Sequence, residues 1–240
     1  MVTLGSGDTA LFLRTLDSKP AEFFATHVKC LCLSVSVAAM DAQRILTLCS
    51  GVRNLAFWTD YLSTFPDSSI TQFIHPLPLR RLSIEARHLR ALCQNALGTE
   101  RDTKLPWCNH LKRLDIVFWP EDELHTLPNL GHFESLIHVG LWQSHRPVDE
   151  KLISHVLSSC KRLEILLVVV HECDIAQRPH SADRRVVFMP YPTAVVKDWE
   201  ASFMGETNTW SRAQEVYLAA AKPQKNVSDP SGHNSGDITS

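Results

Sequence analysis

The sequence predicts an α/β protein built as a solenoid, in which short parallel strands recur along the chain with helices or loops between them. A six-residue phrase, apolar-x-x-apolar-x-apolar, occurs six times between Val28 and Val168. Successive phrases begin 24, 27, 32, 25 and 27 residues apart. Apart from one insertion, in the interval of 32 residues, these spacings match a leucine-rich repeat, which is roughly 20 to 29 residues long. We therefore expect a leucine-rich-repeat solenoid. It would have a curved parallel sheet, irregular helix and loop connectors, and a C-terminal helical cap.

Each phrase is predicted to form one strand of the sheet. Side chains alternate between the two faces of a strand, so the second and third apolar positions point to the core and the residues between them point to the opposite face. The phrases are Val28/Leu31/Leu33, Val52/Leu55/Phe57, Leu79/Leu82/Ile84, Leu111/Leu114/Ile116, Leu136/Val139/Leu141 and Leu163/Leu166/Val168.

A cysteine stands three residues before three of the phrases, at Cys49, Cys108 and Cys160, and Phe133 occupies the same position in a fourth. A position that accepts either Cys or Phe favours apolar volume, because a free cysteine packs as a small hydrophobe. We therefore expect these cysteines to be buried core residues. A redox or metal-binding role is the alternative.

Helical periodicity appears in several connectors. Apolar residues recur at helical spacing in residues 41–49, 86–97 and 148–158, which predicts amphipathic helices packed against a neighbouring layer. Residues 8–16 carry one further predicted helix ahead of the first strand.

The sixth strand differs from the others, because Ile165, Leu167 and Val169 make its outward face apolar as well. A strand that is apolar on both faces is buried on both faces. We expect the following chain to cover it. Residues 183–189 would form a seventh, degenerate strand with Val186 and Phe188 in the inward positions.

Residues 194–221 show a helical pattern that is interrupted around residues 205–208, which predicts two helices that cap the open end of the solenoid. The predicted organisation is therefore an N-terminal segment with a short helix (1–19), a repeat domain (20–192), a helical cap (193–221) and a tail (222–240). The tail is rich in Ser, Asn, Asp, Gly and Pro, so we expect it to be disordered.

The composition favours an intracellular protein. Among 240 residues, 24 are basic and 26 are acidic, and a net charge of −2 gives no electrostatic reason to expect nucleic-acid or membrane binding. The longest apolar run, residues 163–170, is too short to span a bilayer. We read no secretory signal at the start of the chain. We expect a cytoplasmic or nuclear location, with the seven cysteines reduced.

The outward positions of the strands supply the candidate contact surface. Arginine and aromatic residues dominate binding hot spots, and these positions combine both with charged residues. Two alternatives are that this face is simply solvated, or that Trp58 and Trp142 pack against connectors. The candidate partner-binding residues are Trp58, Arg81, Glu85, Arg113, Asp115, His138 and Trp142.

No enzymatic motif is evident, and we expect neither catalytic activity nor a cofactor or metal. Residues 5–7 lack the Gly-Lys-Ser/Thr that completes a phosphate-binding loop. Residues 171–173 place three potential metal ligands together without a second pair at metal spacing. Four histidines recur at six or seven residues but fall in different kinds of predicted element: His125, His132, His138 and His145.

Two regions of the chain together resemble fungal F-box-like proteins. The first comprises residues 27–33 and 46–58 and is similar to the repeat region of that family. The second is similar to its closing segment and comprises residues 187–190, 198–200, Gly205 and 210–213. The resemblance extends over residues 10–221. It does not include the F-box segment itself, which we do not identify ahead of Val28.

The resemblance implies a substrate receptor. In that family the repeats hold a target protein, while an F-box docks on the Skp adaptor of a cullin-RING ubiquitin ligase. The expected function is therefore a non-catalytic protein-binding module that recognises an unidentified protein target. A structural remnant or truncated paralogue with no dedicated partner is the alternative.

Overall fold

The protein is an α/β structure whose centre is an open, eight-stranded, all-parallel sheet. A computed structural model describes residues 1–59, 71–97, 107–119, 127–143, 149–175 and 182–221. The strands lie in the sheet in the order in which they occur in the chain, from β1 to β8. Each strand therefore pairs only with its neighbours in sequence. This arrangement is the one that a repeated strand-connector unit produces.

The strands are β1 (Val2–Leu4), β2 (Cys30–Leu33), β3 (Asn54–Phe57), β4 (Arg81–Glu85), β5 (Arg113–Phe118), β6 (His138–Gln143), β7 (Ile165–Val170) and β8 (Val186–Pro190). The helices are α1 (Thr9–Ser18), α2 (Ala21–His27), α3 (Ala39–Leu48), α4 (Thr71–Ile74), α5 (Ala86–Leu97), α6 (Glu150–Ser159), α7 (Glu172–Ile175), α8 (Val195–Met204) and α9 (Thr209–Ala221). A short 3-10 turn occupies Leu130–His132.

The six predicted phrases form β2 to β7, and their inward positions stack in one register. Leu31, Leu55, Leu82, Leu114, Val139 and Leu166 are successive partners across the sheet. All six are completely buried. The predicted seventh strand is also confirmed, because β8 places Val186 and Phe188 against the same core. One strand escaped prediction: β1 is only three residues long and lacks the full phrase.

The main core lies between one face of the sheet and helices α1 to α6. The predicted helices in residues 41–49, 86–97 and 148–158 are present as α3, α5 and α6, and the N-terminal helix is α1. The cysteines at Cys49, Cys108 and Cys160 and the equivalent Phe133 are all part of this core, which confirms the expectation that they are buried.

The second face of the sheet is covered by α8 and α9. The prediction of two helices in this segment is confirmed, but their position differs from the expected cap at the open end. Helix α9 contacts β7 and β8, and it covers Ile165, Leu167 and Val169 as expected for the sixth phrase. Helix α8 reaches back to β2 and β3, where Trp199 packs with Cys32, Ala56 and Trp58. The helix pair therefore lies along the face of the sheet.

Gly51 permits the close approach of two connectors at the start of β3. A side-chain carbon at this position would lie 1.8 Å from the carbonyl oxygen of Ala25 and 2.8 Å from Nζ of Lys29. Only glycine fits there without moving backbone.

No helix within the described ranges is both long enough and apolar enough to cross a membrane. Three expectations concern residues outside those ranges: disorder in residues 222–240, and the placement of His125 and His145.

The candidate functional site between the sheet and the C-terminal helices

Asp115 is the centre of a polar cluster under the C-terminal helices. It lies on β5 with its side chain on the second face, and only 4% of it is exposed. Its Oδ1 accepts two indole N–H hydrogen bonds, from Trp142 at 3.2 Å and from Trp210 at 2.9 Å. The first indole comes from the neighbouring strand and the second from α9. Asp115 therefore ties the sheet to the helix that covers it.

The environment of Asp115 alters its acidity. Burial raises the pKa of this carboxyl to about 6, although the two indole hydrogen bonds and the nearby Arg81 favour the ionised form and oppose the rise. A carboxylate with two hydrogen-bond donors is stable in a buried site at neutral pH, because the donors replace part of its lost hydration.

Two further tryptophans meet toward the other end of the same face. Trp58 donates a hydrogen bond from Nε1 to Oγ of Ser83 over 3.0 Å. Its ring contacts that of Trp199 from α8, edge to face, with centroids 6.3 Å apart. A cavity of about 20 Å³ lies between these groups and Asp115, which is room for roughly one water molecule.

Arginines at the beginning of β4 and β5 pack against the helix pair. The guanidinium of Arg81 lies 5.2 Å from the ring centroid of Phe203, and that of Arg113 lies 4.7 Å from the ring of Trp210. The ring of His138 is 5.4 Å from Trp210. Desolvation by burial lowers the pKa of His138, and the neighbouring positive charge of Arg81 lowers it further.

The junction between α8 and α9 is held by a local hydrogen-bond network. Gly205 ends α8 with a φ of +76°, a left-handed conformation that favours glycine. Asp198 accepts hydrogen bonds from the backbone N–H and the hydroxyl of Thr209 at 2.8 and 2.9 Å. The side chain of Asn208 accepts from the backbone N–H groups of Trp210 and Ser211, so it caps the first turn of α9.

Small side chains on the outward face of the sheet make room for the helix pair. The middle outward positions of five successive strands are occupied by Cys32, Ala56, Ser83, Asp115 and Gly140. A side-chain carbon on Gly140 would lie 2.4 Å from Oδ1 of Asp115 and 2.9 Å from Nε1 of Trp142. Glycine at this position therefore leaves the space that the two indoles use to reach Asp115.

Six of the seven candidate contact residues are brought together here. Arg81, Arg113 and His138 are half-buried at the beginning of their strands, but Trp58, Asp115 and Trp142 are buried. The expectation of an exposed surface at those three positions is therefore wrong, because α8 and α9 fold back over the sheet. The two tryptophans are packed rather than exposed, as in the alternative, but they pack against the C-terminal segment and not against the connectors between strands.

Glu85 lies apart from this group at the far end of β4. It is 1% exposed, so the expectation that it belongs to an exposed contact surface is also wrong. Its Oε2 accepts a hydrogen bond from Nε of Arg87 at 2.7 Å and lies 3.6 Å from Nδ1 of the buried His88. The carboxylate is thereby engaged within its own strand-to-helix junction.

Sequence reasoning did not assign a site role to the residues of α8 and α9 or to Ser83. A usable signal was present in the small outward residues of β2 to β6, since a row of small side chains on an otherwise apolar sheet indicates that a large partner packs closely. The partners are Trp199 and Trp210, which the helical periodicity placed in two helices without showing which way those helices fold.

Five of the described cysteines lie in the main core or in the apolar cluster beneath α8, and their thiols are poor nucleophiles. Desolvation raises the pKa of Cys32, Cys49, Cys93 and Cys108 to about 12, and that of Cys160 to about 11. Because the thiolate is the reactive form, these side chains act as packing groups.

Within the described ranges, no three His, Cys, Asp or Glu side chains are arranged to hold a metal ion. Asp115 could accept or release a proton, but the covering helices separate it from solvent. Comparisons of the chain with protein-family models, curated proteins and solved structures find no match.

Proposed function

We propose that the chain is a leucine-rich-repeat solenoid that serves as a non-catalytic protein-binding module. The observation that carries this proposal is the constant register of the sheet. Leu31, Leu55, Leu82 and their successors are direct partners although the connectors between them differ in length. A repeat that maintains its strands while its connectors vary is typical of solenoids, which commonly use their extended surfaces to bind proteins.

By the resemblance to F-box-like proteins, the module would be the target-recognition region of a ubiquitin-ligase receptor. Its partner would be a protein target, with the Skp adaptor and a cullin as further partners if an F-box is present in the full gene. The location would be the cytoplasm or nucleus. Since α8 and α9 occupy the second face of the sheet, the target would bind the rim of that face or the connectors.

The second candidate is a structural remnant with no dedicated partner. One observation favours it: the face that would hold a target in an open solenoid is filled by the chain's own Trp199 and Trp210. The two candidates differ in whether a specific protein recognises the folded chain.

Affinity purification from the native cell, followed by mass spectrometry, tests the proposal. The tagged full chain is compared with a Leu114→Asp variant, which places a charge at a completely buried core position and should unfold the repeats. A protein recovered by the parent alone, and bound again when both purified components are mixed, supports a binding module. Recovery of a cullin with its adaptor supports the ligase assignment.

Two results would count against it. If the same proteins are recovered with the parent and with the unfolded variant, they recognise unfolded chain. If nothing is enriched with a folded parent, the structural remnant becomes the better description.

A further inference from the structure

Positive charge is concentrated at the N-terminal ends of three central strands, β3, β4 and β5. The residue immediately before each of these strands is basic and exposed: Arg53, Arg80 and Lys112. The first residues of β4 and β5 add Arg81 and Arg113, which are half-buried. These five residues are here called the basic ladder.

The ladder follows from the register of the strands. The backbone N–H of Arg80 bonds to the carbonyl of Arg53, and that of Lys112 bonds to the carbonyl of Arg80. Arg81 and Arg113 are direct partners in the next row. Adjacent strands are about 4.8 Å apart, so the backbone positions of these five basic residues span roughly 10 Å across the three strands.

The exposed members of the ladder have no acidic partner among the described residues. Within those ranges, no ion pair involves Arg53, Arg80 or Lys112. On one side the positive run ends with Ile137 before β6 and Glu164 before β7. On the other side it continues to the half-buried Lys29 before β2, whose Nζ already donates a hydrogen bond to the carbonyl oxygen of Ala25. Like charges on neighbouring strands are destabilising, so an anionic partner would relieve a repulsion that the free protein retains.

The half-buried arginines are already held in place. Arg81 lies over Phe203 and Arg113 lies over Trp210, so both guanidinium groups are ordered by the covering helices before any partner arrives. Ordering in advance lowers the entropy cost of binding. The exposed residues Arg53, Arg80 and Lys112 at the beginning of the strands remain accessible while the helix pair stays closed.

We propose that the basic ladder is the docking surface for an acidic segment of a protein partner. Carboxylates match the donors of arginine and lysine, and the narrow width of the ladder suits a short peptide that lies across three strands. The inference rests on the protein-binding function proposed above and adds the place and the charge of the partner.

A protein segment fits better than a nucleic acid for two reasons. Single-stranded nucleic acids bind by stacking bases on accessible aromatic rings, whereas Trp210 beside the ladder is 8% exposed and already stacks on Arg113. The chain as a whole carries a net charge of −2, so its overall field does not attract a long polyanion.

The test uses fluorescence anisotropy with the full chain. The probe is a labelled peptide of about twelve residues in which glutamate alternates with glycine, long enough to cross the ladder in extended form. A peptide with glutamine in place of glutamate is the neutral control. The ladder variant carries Arg53→Gln, Arg80→Gln and Lys112→Gln.

A matched control variant carries Arg14→Gln, Lys19→Gln and Lys151→Gln, three exposed cations away from the strand beginnings. Both variants become more negative by the same three charges, and thermal unfolding checks that both remain folded. We expect the ladder variant to weaken binding of the acidic peptide about tenfold and the control variant less than about twofold. Raising ionic strength from about 0.02 M to about 0.2 M should weaken binding to the parent.

Three outcomes would overturn the proposal: no binding of the acidic peptide at about 1 mM, equal losses in the two variants, or tighter binding of a thymidine oligonucleotide that the ladder variant loses. The protein-binding function is separable from this result. If the ladder variant and the parent capture the same partner equally well, the protein-binding function is supported and the basic ladder is not its docking surface. If the parent chain captures no partner, the protein-binding function itself is contradicted.

Discussion

The buried carboxylate of Asp115 connects the second face of the sheet to the helix that covers it. It accepts indole N–H groups from the sheet and from α9, and Gly140 leaves the space through which both indoles approach it. A hydrogen bond to a charged group stabilises more than a neutral one. The geometry at this residue therefore has consequences for mutation and for pH.

Gly140→Ala should destabilise the protein by about 2 to 3 kcal/mol, because the added carbon would displace Asp115 from the indoles it contacts. Urea unfolding followed by circular dichroism measures the change. Gly7→Ala is the matched control, since a side-chain carbon there meets nothing within 4 Å. Equal stability of the two variants would mean that Asp115 and its indoles relax without cost.

The raised pKa of Asp115 predicts a pH effect of definite sign. Its folded pKa of about 6 lies above the ordinary value of 3.8, so between these values the folded chain binds more protons than the unfolded chain. Stability contributed by this group is fully present below pH 3.8 and is lost as pH rises through 6.

Asp115→Asn should remove this dependence while its amide oxygen remains available to both indoles. We expect the stability of the parent relative to the variant to fall as pH rises from about 4 to about 6, by at most about 1.4 kcal/mol per pH unit. Urea unfolding of both proteins at stepped pH measures the difference, in which other carboxyl groups cancel. A constant difference across that window would contradict the prediction.

Helices α8 and α9 are attached to the sheet by different means. Trp210 of α9 donates its N–H to Asp115. The buried Nε1 of Trp199 in α8 has no hydrogen-bond partner among the described residues, and this side chain is held by aromatic and apolar contacts. The two indoles therefore form a natural comparison.

Trp210→Phe should cost about 1 to 3 kcal/mol more than Trp199→Phe, because both changes shrink an aromatic ring but only the first removes a hydrogen bond to a carboxylate. Chemical denaturation of the two single variants provides the comparison. Indistinguishable losses would show that the hydrogen bond to Asp115 contributes little to the attachment of α9.

Prediction from sequence succeeded at the level of elements where the signal is local. The phrases of β2 to β7 and the helices α3, α5 and α6 depend on periodicity within a few residues, which the chain displays directly. The three residues of β1 are too few to show a period. The position of α9 depends on contacts such as Trp210 with Asp115, 95 residues apart, which no local pattern encodes.

The candidate contact residues illustrate the same limit. Alternation correctly placed Arg81, Asp115 and Trp142 on one face of the sheet, because the strand period is two. Whether that face met solvent depended on the direction in which the chain turns after Pro190. The apolar outward residues of β7 indicated that this part of the face is covered. The small residues Cys32, Ala56 and Ser83 leave room for the covering helices to continue toward β2.

At the scale of the whole molecule, the sheet is the central layer between two separate apolar layers. Helices α1 to α6 cover one face with the larger core, and α8 and α9 cover the other with two smaller clusters. A three-layer arrangement leaves each strand buried on both sides where both covers are present. Loss of the C-terminal layer would expose an apolar surface on an otherwise intact sheet.

A chain that ends at Thr193 should therefore associate with itself and bind a hydrophobic dye, because Ile165, Leu167 and Val169 lose their cover. Size-exclusion chromatography and dye fluorescence measure these changes. A chain that ends at Ala221, which retains every described residue, is the control and should elute as the parent does. Dye binding equal to that of the parent would contradict the prediction.

The buried cysteine thiols can report on how the helix pair and the larger core open. Cys32 lies beneath α8, whereas Cys49, Cys108 and Cys160 lie in the larger core. An alkylating reagent therefore needs a different opening motion to reach Cys32 than to reach the other three thiols. Separation of the helix pair from the sheet would admit the reagent to Cys32 first, and modification of the other three would follow the rate of global unfolding. The order in which these four cysteines are alkylated would thus distinguish separation of the helix pair from global unfolding.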